Sequence, residues 1–293
     1  MIELRLLKYF LAAAEESNIT RAAARLHITQ PSLSRQLALL EESLGMTLYT
    51  RESFGIRLTE DGLLLKKRAR EMLDLEEKTL AELSADTDEI TGTIYLGAGE
   101  SQGVRHIAEI VKAFTASHPS VKYRMISGDA EDVGDKLSKG LIDFGLFVGK
   151  IALTDYNCIT LPDSDRWGLI LRTDDELASR PYITPEDLRG RKLLFSHQAK
   201  TQGEFSDWLG YSVDELEIVG THNLVYNAAV MVREGLGVLV TIEGIINSEG
   251  LKFIPLMPEI KAGLVLAWKK DAVFSKAAKK FLELAQNMTT HPQ

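Results

Sequence analysis

A connection of four residues joins two helical patterns near the N-terminus, and it restricts the fold of this region more than any other feature. The run ITRAAARL (19–26) has helical apolar spacing, and a second pattern opens at Gln30. The connection His27–Gln30 allows only a sharp turn between them. Because Ala22, Ala23 and Ala24 are small, the sequence predicts that another helix crosses this one at close range.

The second of these patterns has clear start and stop signals. Thr29 precedes it and is predicted to cap its free backbone N–H groups, and Pro31 falls in the first turn, where a missing N–H costs nothing. Gly45 is expected to end the helix. One face is apolar and is predicted to be buried; it carries Leu33, Leu37, Leu40 and Leu44.

The opposite face of this helix is polar over its first two turns. Glutamine side chains can pair with adenine, arginine with guanine, and serine with bases or phosphates. This pattern is typical of a recognition helix whose N-terminal end enters the DNA major groove. The predicted DNA contacts on the helix are Thr29, Gln30, Pro31, Ser32, Ser34, Arg35 and Gln36.

The segment MTLYTRESFGIRLTEDG, which follows Gly45, predicts two short strands around Glu52–Gly55. Such a hairpin would form a wing, with Arg51 and Arg57 placed to meet the DNA backbone or minor groove. A three-helix packing module with a polar outer face is the alternative for this region. The wing and the long helix after it favour DNA binding.

Residues 60–88 form one long helical pattern that contains no proline and, after Gly62, no glycine. A helix of about 25 residues is about 37 Å long and needs a partner for its apolar stripe. We therefore predict a dimerisation helix; packing on its own domain is the alternative. The stripe comprises Leu64, Leu65, Ala69, Met72, Leu73, Leu75, Leu80 and Leu83.

From residue 92 onward, short β-type runs alternate with amphipathic helical runs. This alternation predicts βαβ units and a mostly parallel sheet, and about 200 residues of it would divide into two lobes. The whole chain is 45% apolar and 26% charged, which is typical of a globular protein. The fold class of the C-terminal part is therefore expected to be α/β.

The N-terminal motifs resemble those of the LysR-type transcriptional regulators. EESNITRAAARLHITQPSLSRQLALLEESLG and RLTEDG occur in the family's order and spacing; the match is strongest over residues 1–88 and weaker to the C-terminus. The resemblance implies that Gln30, Pro31, Ser34 and Arg35 carry most operator contacts. The chain departs from the family at the wing tip, where Phe54 and Gly55 replace a common basic residue.

The resemblance also implies a domain organisation. A winged helix-turn-helix would occupy residues 1–59, a linker helix 60–88 and an effector-binding domain 89–293. That last domain would have a periplasmic-binding-protein-like fold, with lobe I at 92–161 and 267–293 and lobe II at 162–266. Implied partners are a double-stranded DNA operator, a small-molecule effector, RNA polymerase and further copies of the chain, as a homodimer through the linker helix and a tetramer.

In folds of this type, ligands lie beyond the carboxyl ends of parallel strands, near helix N-termini. This rule gives four loops whose side chains can contact an effector. Capping of the following helices is the alternative role for these residues, and His197 and His222 are equally compatible with ordinary surface positions. The predicted effector contacts are Glu100, Ser101, Gln102, Ser127, Ser196, His197, Gln198 and Asn223.

Charge and motif content restrict the function further. The net charge is −8, but residues 1–70 carry +3 and the remainder −11, so the basic charge lies in the predicted DNA-binding part. The N-terminus lacks a signal-peptide pattern, which predicts a cytoplasmic protein, and Cys158 is the single cysteine.

Motifs typical of enzymes are missing from the sequence. GAGESQG has glycines at 97, 99 and 103, one residue too widely spaced for a dinucleotide site, and there is no P-loop, H-E-x-x-H or G-x-S-x-G. We expect no catalytic residues, cofactor or metal, and predict a transcriptional regulator controlled by an effector held between two α/β lobes. A small-molecule-binding or enzymatic α/β domain with an accessory helical module remains the alternative.

Overall fold

The computed structural model describes residues 2–83, 90–149, 154–196 and 203–290. The chain divides into two compact units, Met1–Ser84 and Ala85–Gln293. Each unit has its own hydrophobic core, because the apolar face of each of its elements packs against other elements of the same unit.

The first unit consists of helices around a small hairpin. Its elements are α1 (Leu4–Glu16), α2 (Ile19–Arg25), α3 (Gln30–Leu44), β1 (Tyr49–Glu52), β2 (Gly55–Leu58) and α4 (Glu60–Leu83). The core lies between α1, α2 and α3, where Phe10, Leu33 and Leu37 are fully buried. Gly45 ends α3 with a φ of 66°, a left-handed conformation that glycine adopts without strain.

Helix α4 packs on its own unit with one face and exposes apolar side chains on another. Ala69 is buried, and Leu65 and Leu73 pack against the core of the first unit. Ion pairs fasten α4 to α1, with Glu76 3.0 Å from Lys8 and Arg70 2.6 Å from Glu15. The exposed apolar side chains are Leu63, Leu64, Met72, Leu75, Leu80 and Leu83. Both predicted roles of the helix are therefore compatible with its structure, and residues 84–88 of the predicted pattern lie outside the described residues.

The second unit is an α/β structure, as predicted. Its strands are β3 (Gly92–Ala98), β4 (Val121–Ser127), β5 (Phe144–Val148), β6 (Tyr156–Arg172), β7 (Lys192–Ser196), β8 (Glu217–His222), β9 (Val238–Ile242), β10 (Leu251–Pro255) and β11 (Lys261–Lys269). Its helices are α5 (Val104–Ser117), α6 (Ala130–Ser138), α7 (Gly203–Leu209), α8 (Val225–Arg233) and α9 (Lys276–Thr290).

The sheet is mixed, which corrects the prediction of a mostly parallel one. Its order is β4-β3-β5-β11-β6-β9-β7-β8, and β10 pairs with β6. The outer pairs β3–β4, β3–β5, β7–β8 and β7–β9 are parallel. The central strands β6 and β11 run antiparallel to each other and to their neighbours β9 and β5, because they are the two segments that connect the lobes.

Two lobes lie on either side of this central pair. Lobe I contains β3, β4 and β5 with α5, α6 and α9, and lobe II contains β7 to β10 with α7 and α8. The predicted lobe boundary at 161/162 falls inside β6, which pairs with β11 on both sides of that point. The predicted return to lobe I at 267 is also late, since β11 already pairs with β5 at Leu264.

Candidate functional site

The turn between α2 and α3 is built from backbone contacts. The Ile28 N–H donates to the Ala23 carbonyl at 3.0 Å. At the opposite end of α2, the Asn18 side chain caps the helix by accepting a hydrogen bond from the Arg21 N–H at 3.0 Å. Thr29 occupies the cap position of α3, but its side chain makes no capping hydrogen bond, so that part of the prediction is wrong. The first N–H groups of α3 are thus not satisfied by Thr29.

The outer face of α3 presents the predicted polar residues to solvent. Thr29, Pro31, Ser32 and Arg35 are exposed, and Gln30, Ser34 and Gln36 are half-buried. The Gln30 amide nitrogen donates to the Ser34 hydroxyl at 2.8 Å, which orders two of these side chains before any partner binds. Leu33, Leu37 and Leu40 fill the opposite face, so the orientation of the helix is fixed by its packing.

Arg35 differs from several other arginines of the first unit. Arg21, Arg25 and Arg70 form ion pairs with Glu15 or Glu16. Within the described part of the chain, Arg35 forms no ion pair and no side-chain hydrogen bond. Its guanidinium can therefore meet a phosphate or a base edge without first breaking an internal contact.

The hairpin forms where the sequence predicts it, around a turn at Ser53 and Phe54. Its register pairs Thr50 with Arg57 and Arg51 with Ile56. Residues directly opposite each other lie on the same face of a two-stranded ribbon, so Arg51 and Arg57 lie on opposite faces. Arg57 forms an ion pair with Glu52 on its own face. The two predicted wing contacts are therefore not equivalent.

The hairpin is held firmly against the end of α1. The Ile56 N–H donates to the Ser17 carbonyl at 2.9 Å, and a Cβ at Gly55 would lie 2.1 Å from that same oxygen. The approach is so close that it requires glycine at this position. At the tip, the Phe54 side chain is 95% exposed.

The second unit contains a cleft between its two lobes. Its empty volume is about 700 Å³. The walls come from the segments that follow β3 and β4, from β5 in lobe I, and from the ends of β7, β8 and β9 in lobe II. The described lining residues include Glu100, Asp129, Phe147, Trp167, Ser196, His222, Asn223 and Thr241.

The structure separates the predicted effector contacts into groups. Glu100, Ser196 and Asn223 line this cleft. Ser101, Gln102 and Ser127 line an adjoining depression with an empty volume of about 620 Å³, which shares Glu100 with the cleft. His197 and Gln198 lie outside the described residues.

Two of these predicted contacts are engaged in bonds between strands and loops of the lobes. The Ser101 hydroxyl donates to Asp165 on β6 at 2.5 Å and accepts from the Gly103 N–H at 2.7 Å. The Gln102 amide donates to the Gly244 carbonyl of lobe II. Burial raises the pKa of Asp165, and the hydrogen bond from Ser101 opposes that rise. Gln102 therefore joins lobe I to lobe II in this arrangement, and Ser101 joins lobe I to the connecting strand β6.

Glu100 makes a further contact between the lobes. It follows β3 in lobe I, and its carboxylate accepts a hydrogen bond from the backbone N–H of Val225, the first residue of α8 in lobe II. A helix N-terminus carries a partial positive charge and free N–H donors. The protein's own carboxylate thus occupies the position on α8 at which an external anion would be expected.

Sequence reasoning missed two polar side chains of the cleft. The Trp167 Nε1 and both ring nitrogens of His222 are buried and have no hydrogen-bond partner among the described residues. Burial lowers the pKa of His222. A buried donor without a partner costs about 1–3 kcal/mol. Only the position of His222 after β8 gave a sequence signal; Trp167 gave none.

Charged side chains surround the point where β6 passes between the lobes. Arg105 and His106 both contact Asp163, with the His106 Nε2 at 2.7 Å. Hydrogen bonding from Arg105 lowers the pKa of Asp163. Arg166 binds Glu243 through two nitrogens, each 2.9 Å from a carboxylate oxygen. These pairs span the junction of lobes I and II.

The described residues hold no group of three or more histidine, cysteine, aspartate or glutamate side chains placed to bind a metal ion. They also contain no helix long and apolar enough to cross a membrane.

Comparisons with known proteins match both units. Residues 4–63 match the family model for the bacterial regulatory helix-turn-helix protein, lysR family, and residues 87–289 match the LysR substrate binding domain. The HTH-type transcriptional regulator YvbU of Bacillus subtilis (strain 168) is 26% identical over 287 residues, which are 96% of this chain and 97% of that protein.

Two solved structures share the fold over almost the whole chain. The crystal structure of CbnR, a LysR family transcriptional regulator, has a TM-score of 0.77 at 21% identity and covers 98% of this chain and 99% of CbnR. Full-length CbnR complexed with its target DNA has a TM-score of 0.73 at 19% identity, with the same coverage.

Proposed function

Because this chain belongs to the LysR family of bacterial transcriptional regulators, we propose that it binds its operator through the outer face of α3 and responds to an effector held between lobes I and II. The contacts proposed for α3 are those predicted from the sequence. The observation that carries this assignment is the state of Arg35, which is exposed and has no ion pair among the described residues. Its position beside the ordered Gln30–Ser34 pair suits base recognition.

The wing has a secondary role in this proposal. Arg57 is paired with Glu52, whereas Arg51 lies on the other face of the hairpin. An arginine held by a neighbouring carboxylate must give up part of that pairing to reach a phosphate. We therefore assign the stronger phosphate contact to Arg51. The structure of CbnR with its target DNA provides a fold-level precedent for a duplex bound by a protein of this architecture.

The remaining functional assignments follow from the family and from the exposed leucines of α4. The protein acts in the cytoplasm as a regulator rather than an enzyme. It forms a homodimer through α4, because the exposed leucines of that helix need a partner. Two such dimers form a tetramer, and this tetramer contacts RNA polymerase at the promoter. The effector changes the relative stability of two lobe arrangements and thereby the spacing or bending of the DNA sites.

Operator binding is tested with the DNA upstream of the chain's own coding region. Arg35→Ala should weaken specific binding by about 1–3 kcal/mol in a mobility-shift titration at fixed salt. Arg124→Ala is the matched control, because Arg124 is an exposed arginine on β4 of the second unit. Equal affinities of the wild type and the Arg35 variant for this DNA would refute the assignment. Failure of the wild type to bind at low salt would favour an α/β enzyme or binding protein.

A further inference from the structure

The cleft between the lobes has an electrostatic character that the sequence does not reveal. Two helices begin at its walls, α6 in lobe I and α8 in lobe II, and both N-termini are occupied by the protein's own carboxylates. Asp129 accepts from the Asp132 N–H at 2.9 Å, and Glu100 accepts from the Val225 N–H. An anionic ligand would have to displace one of these carboxylates before it could use either helix.

The charged side chains among the described lining residues are these same two acids, Glu100 and Asp129. They come from neighbouring loops, because β3 and β4 pair in parallel up to Ala98 and Ser127 and the Gly128 N–H donates to the Ala98 carbonyl at 3.1 Å. Their negative potentials therefore add within one region of the cleft. This potential opposes an anion and attracts a cation.

Two further properties of the cleft restrict its ligand. Phe147 and Trp167 both line it, and aromatic side chains pack against the apolar body of a ligand. Trp167 is only 6% exposed and its Nε1 has no partner among the described residues. A ligand that also carries a hydrogen-bond acceptor would satisfy that donor.

We propose that the effector is a small cation, an amine, amidine or guanidine whose apolar body carries a hydrogen-bond acceptor, and that Glu100 is the principal residue selecting it. This inference rests on the proposed effector-responsive function. On binding, the positive group lies against the Glu100 carboxylate, and the apolar body lies against Phe147 and Trp167. The contact between Glu100 and α8 makes binding sensitive to the closure of the lobes, because that contact joins lobe I to lobe II.

Three probes of matched size separate charge from shape. Benzamidine, benzamide and benzoate each join one benzene ring to a planar three-atom group, and at pH 7 their charges are +1, 0 and −1. Dissociation constants for the full-length protein, measured by ligand-observed NMR, should rank benzamidine tightest and benzoate weakest. We expect a difference of about tenfold or more between the two ends of the series.

A single substitution tests the role of Glu100. Glu100→Gln removes the charge but keeps an oxygen that can accept from the Val225 N–H, so the contact between the lobes is retained. The substitution should raise the dissociation constant of benzamidine about tenfold, and it should reduce the difference in affinity between benzamidine and benzoate. Glu249→Gln is the control, because Glu249 is exposed and is not part of the cleft lining. It should leave all three constants unchanged.

Three outcomes would overturn the inference: tighter binding of benzoate than of benzamidine, a ranking that Glu100→Gln leaves unaltered, or no binding of any probe. The mobility-shift titration with Arg35→Ala is run on the same preparations. If operator binding is normal and any of these outcomes is found, the inference of a cationic effector is wrong but the proposed function stands. Loss of operator binding by the wild type would instead reject the proposed function.

Discussion

At the scale of single residues, neighbouring partners decide what a charged side chain can do. Arg25, Arg35 and Arg70 lie in the same unit of the chain. Two of them are bound to Glu15, at 2.8 Å for Arg25 and 2.6 Å for Arg70. Arg35 has no such partner among the described residues, which leaves it available to DNA. Glu15 thus has a structural role and Arg35 a recognition role, although the residue types alone do not distinguish them.

The pairing of Glu15 predicts a pH-dependent contribution to stability. Burial raises the pKa of Glu15, but hydrogen bonds from Arg25 and Arg70 outweigh this and bring it below the ordinary 4.5. A carboxylate whose pKa is lowered on folding stabilises the protein above its unfolded pKa. That contribution is lost as the pH falls from about 4.5 through the lower, folded value.

Glu15→Gln should therefore reduce the free energy of unfolding by about 0.5–1 kcal/mol at pH 7, because the partners are half exposed. The difference from the wild type should shrink as the pH falls from about 4.5 and disappear below the lowered pKa of Glu15 in the folded protein. Thermal melting across this pH range measures both quantities. Glu42→Gln is the control, since Glu42 is exposed. A destabilisation that stayed constant down to pH 3 would contradict the role assigned to the ion pairs.

At the scale of secondary-structure elements, the hairpin shows how one backbone contact can position a binding element. Its strands are only four residues long, and a two-stranded hairpin alone is marginally stable in water. The close packing of Gly55 on the Ser17 carbonyl supplies the support that the short ladder lacks. The wing therefore depends on α1 for its position.

Gly55→Ala should detach the wing from α1. A Cβ only 2.1 Å from the Ser17 oxygen forces the backbones apart and breaks the bond from the Ile56 N–H. Hydrogen exchange of residues 49–58 should accelerate by about tenfold or more as local opening becomes easier. Ser53→Ala, an exposed change in the same turn, should leave exchange unaltered. Equal protection in the Gly55 variant would show that the contact does not hold the wing.

The same scale shows which elements the sequence could predict. α3 and the hairpin were predictable because their apolar spacing, Pro31 and Gly45 are local signals. β6 was not, because Pro162, Asp163, Ser164 and Asp165 resemble a loop. In the structure these residues continue a strand of 17 residues between the lobes, where Arg105, His106 and Ser101 bind the two carboxylates. The side chains that pair with these carboxylates come from distant segments of the chain. No local sequence pattern therefore indicates that the strand continues.

The candidate cleft was likewise predictable in part. The rule that ligands lie beyond strand ends led to Glu100, Ser196 and Asn223, and all three line the cleft. That they contact an effector stays a prediction. The rule did not predict that the Glu100 carboxylate binds α8, nor that Trp167 and His222 are buried without partners. The direction in which a side chain points, and whether a buried polar group finds a hydrogen-bond partner, depend on the packed tertiary structure. The sequence pattern does not specify that packing.

At the scale of the whole molecule, the distribution of charge along the chain agrees with DNA binding by its N-terminal part. Residues 1–70 carry +3 and the remainder −11, so the net positive charge that attracts DNA lies in the part of the chain that contains α3. Two copies of α3 held at a fixed separation would read two half-sites, which one copy cannot do. Pairing of chains therefore affects operator affinity as directly as any base contact.

The exposed stripe on α4 provides the test of that pairing. Leu75 is 43% exposed although its neighbours Leu73 and Ala69 pack on the first unit. Leu75→Glu places a charge in the proposed interface without disturbing that packing. Light scattering after gel filtration should show a smaller mass than that of the wild type, and operator affinity should fall by about tenfold or more because half-sites are then bound independently. Val273→Glu, at a position 95% exposed in the second unit, is the control and should remain oligomeric.

If the Leu75 variant kept the wild-type mass and affinity, the α4 stripe would have to be an ordinary exposed surface, and the pairing of α3 would have to depend on contacts in the second unit.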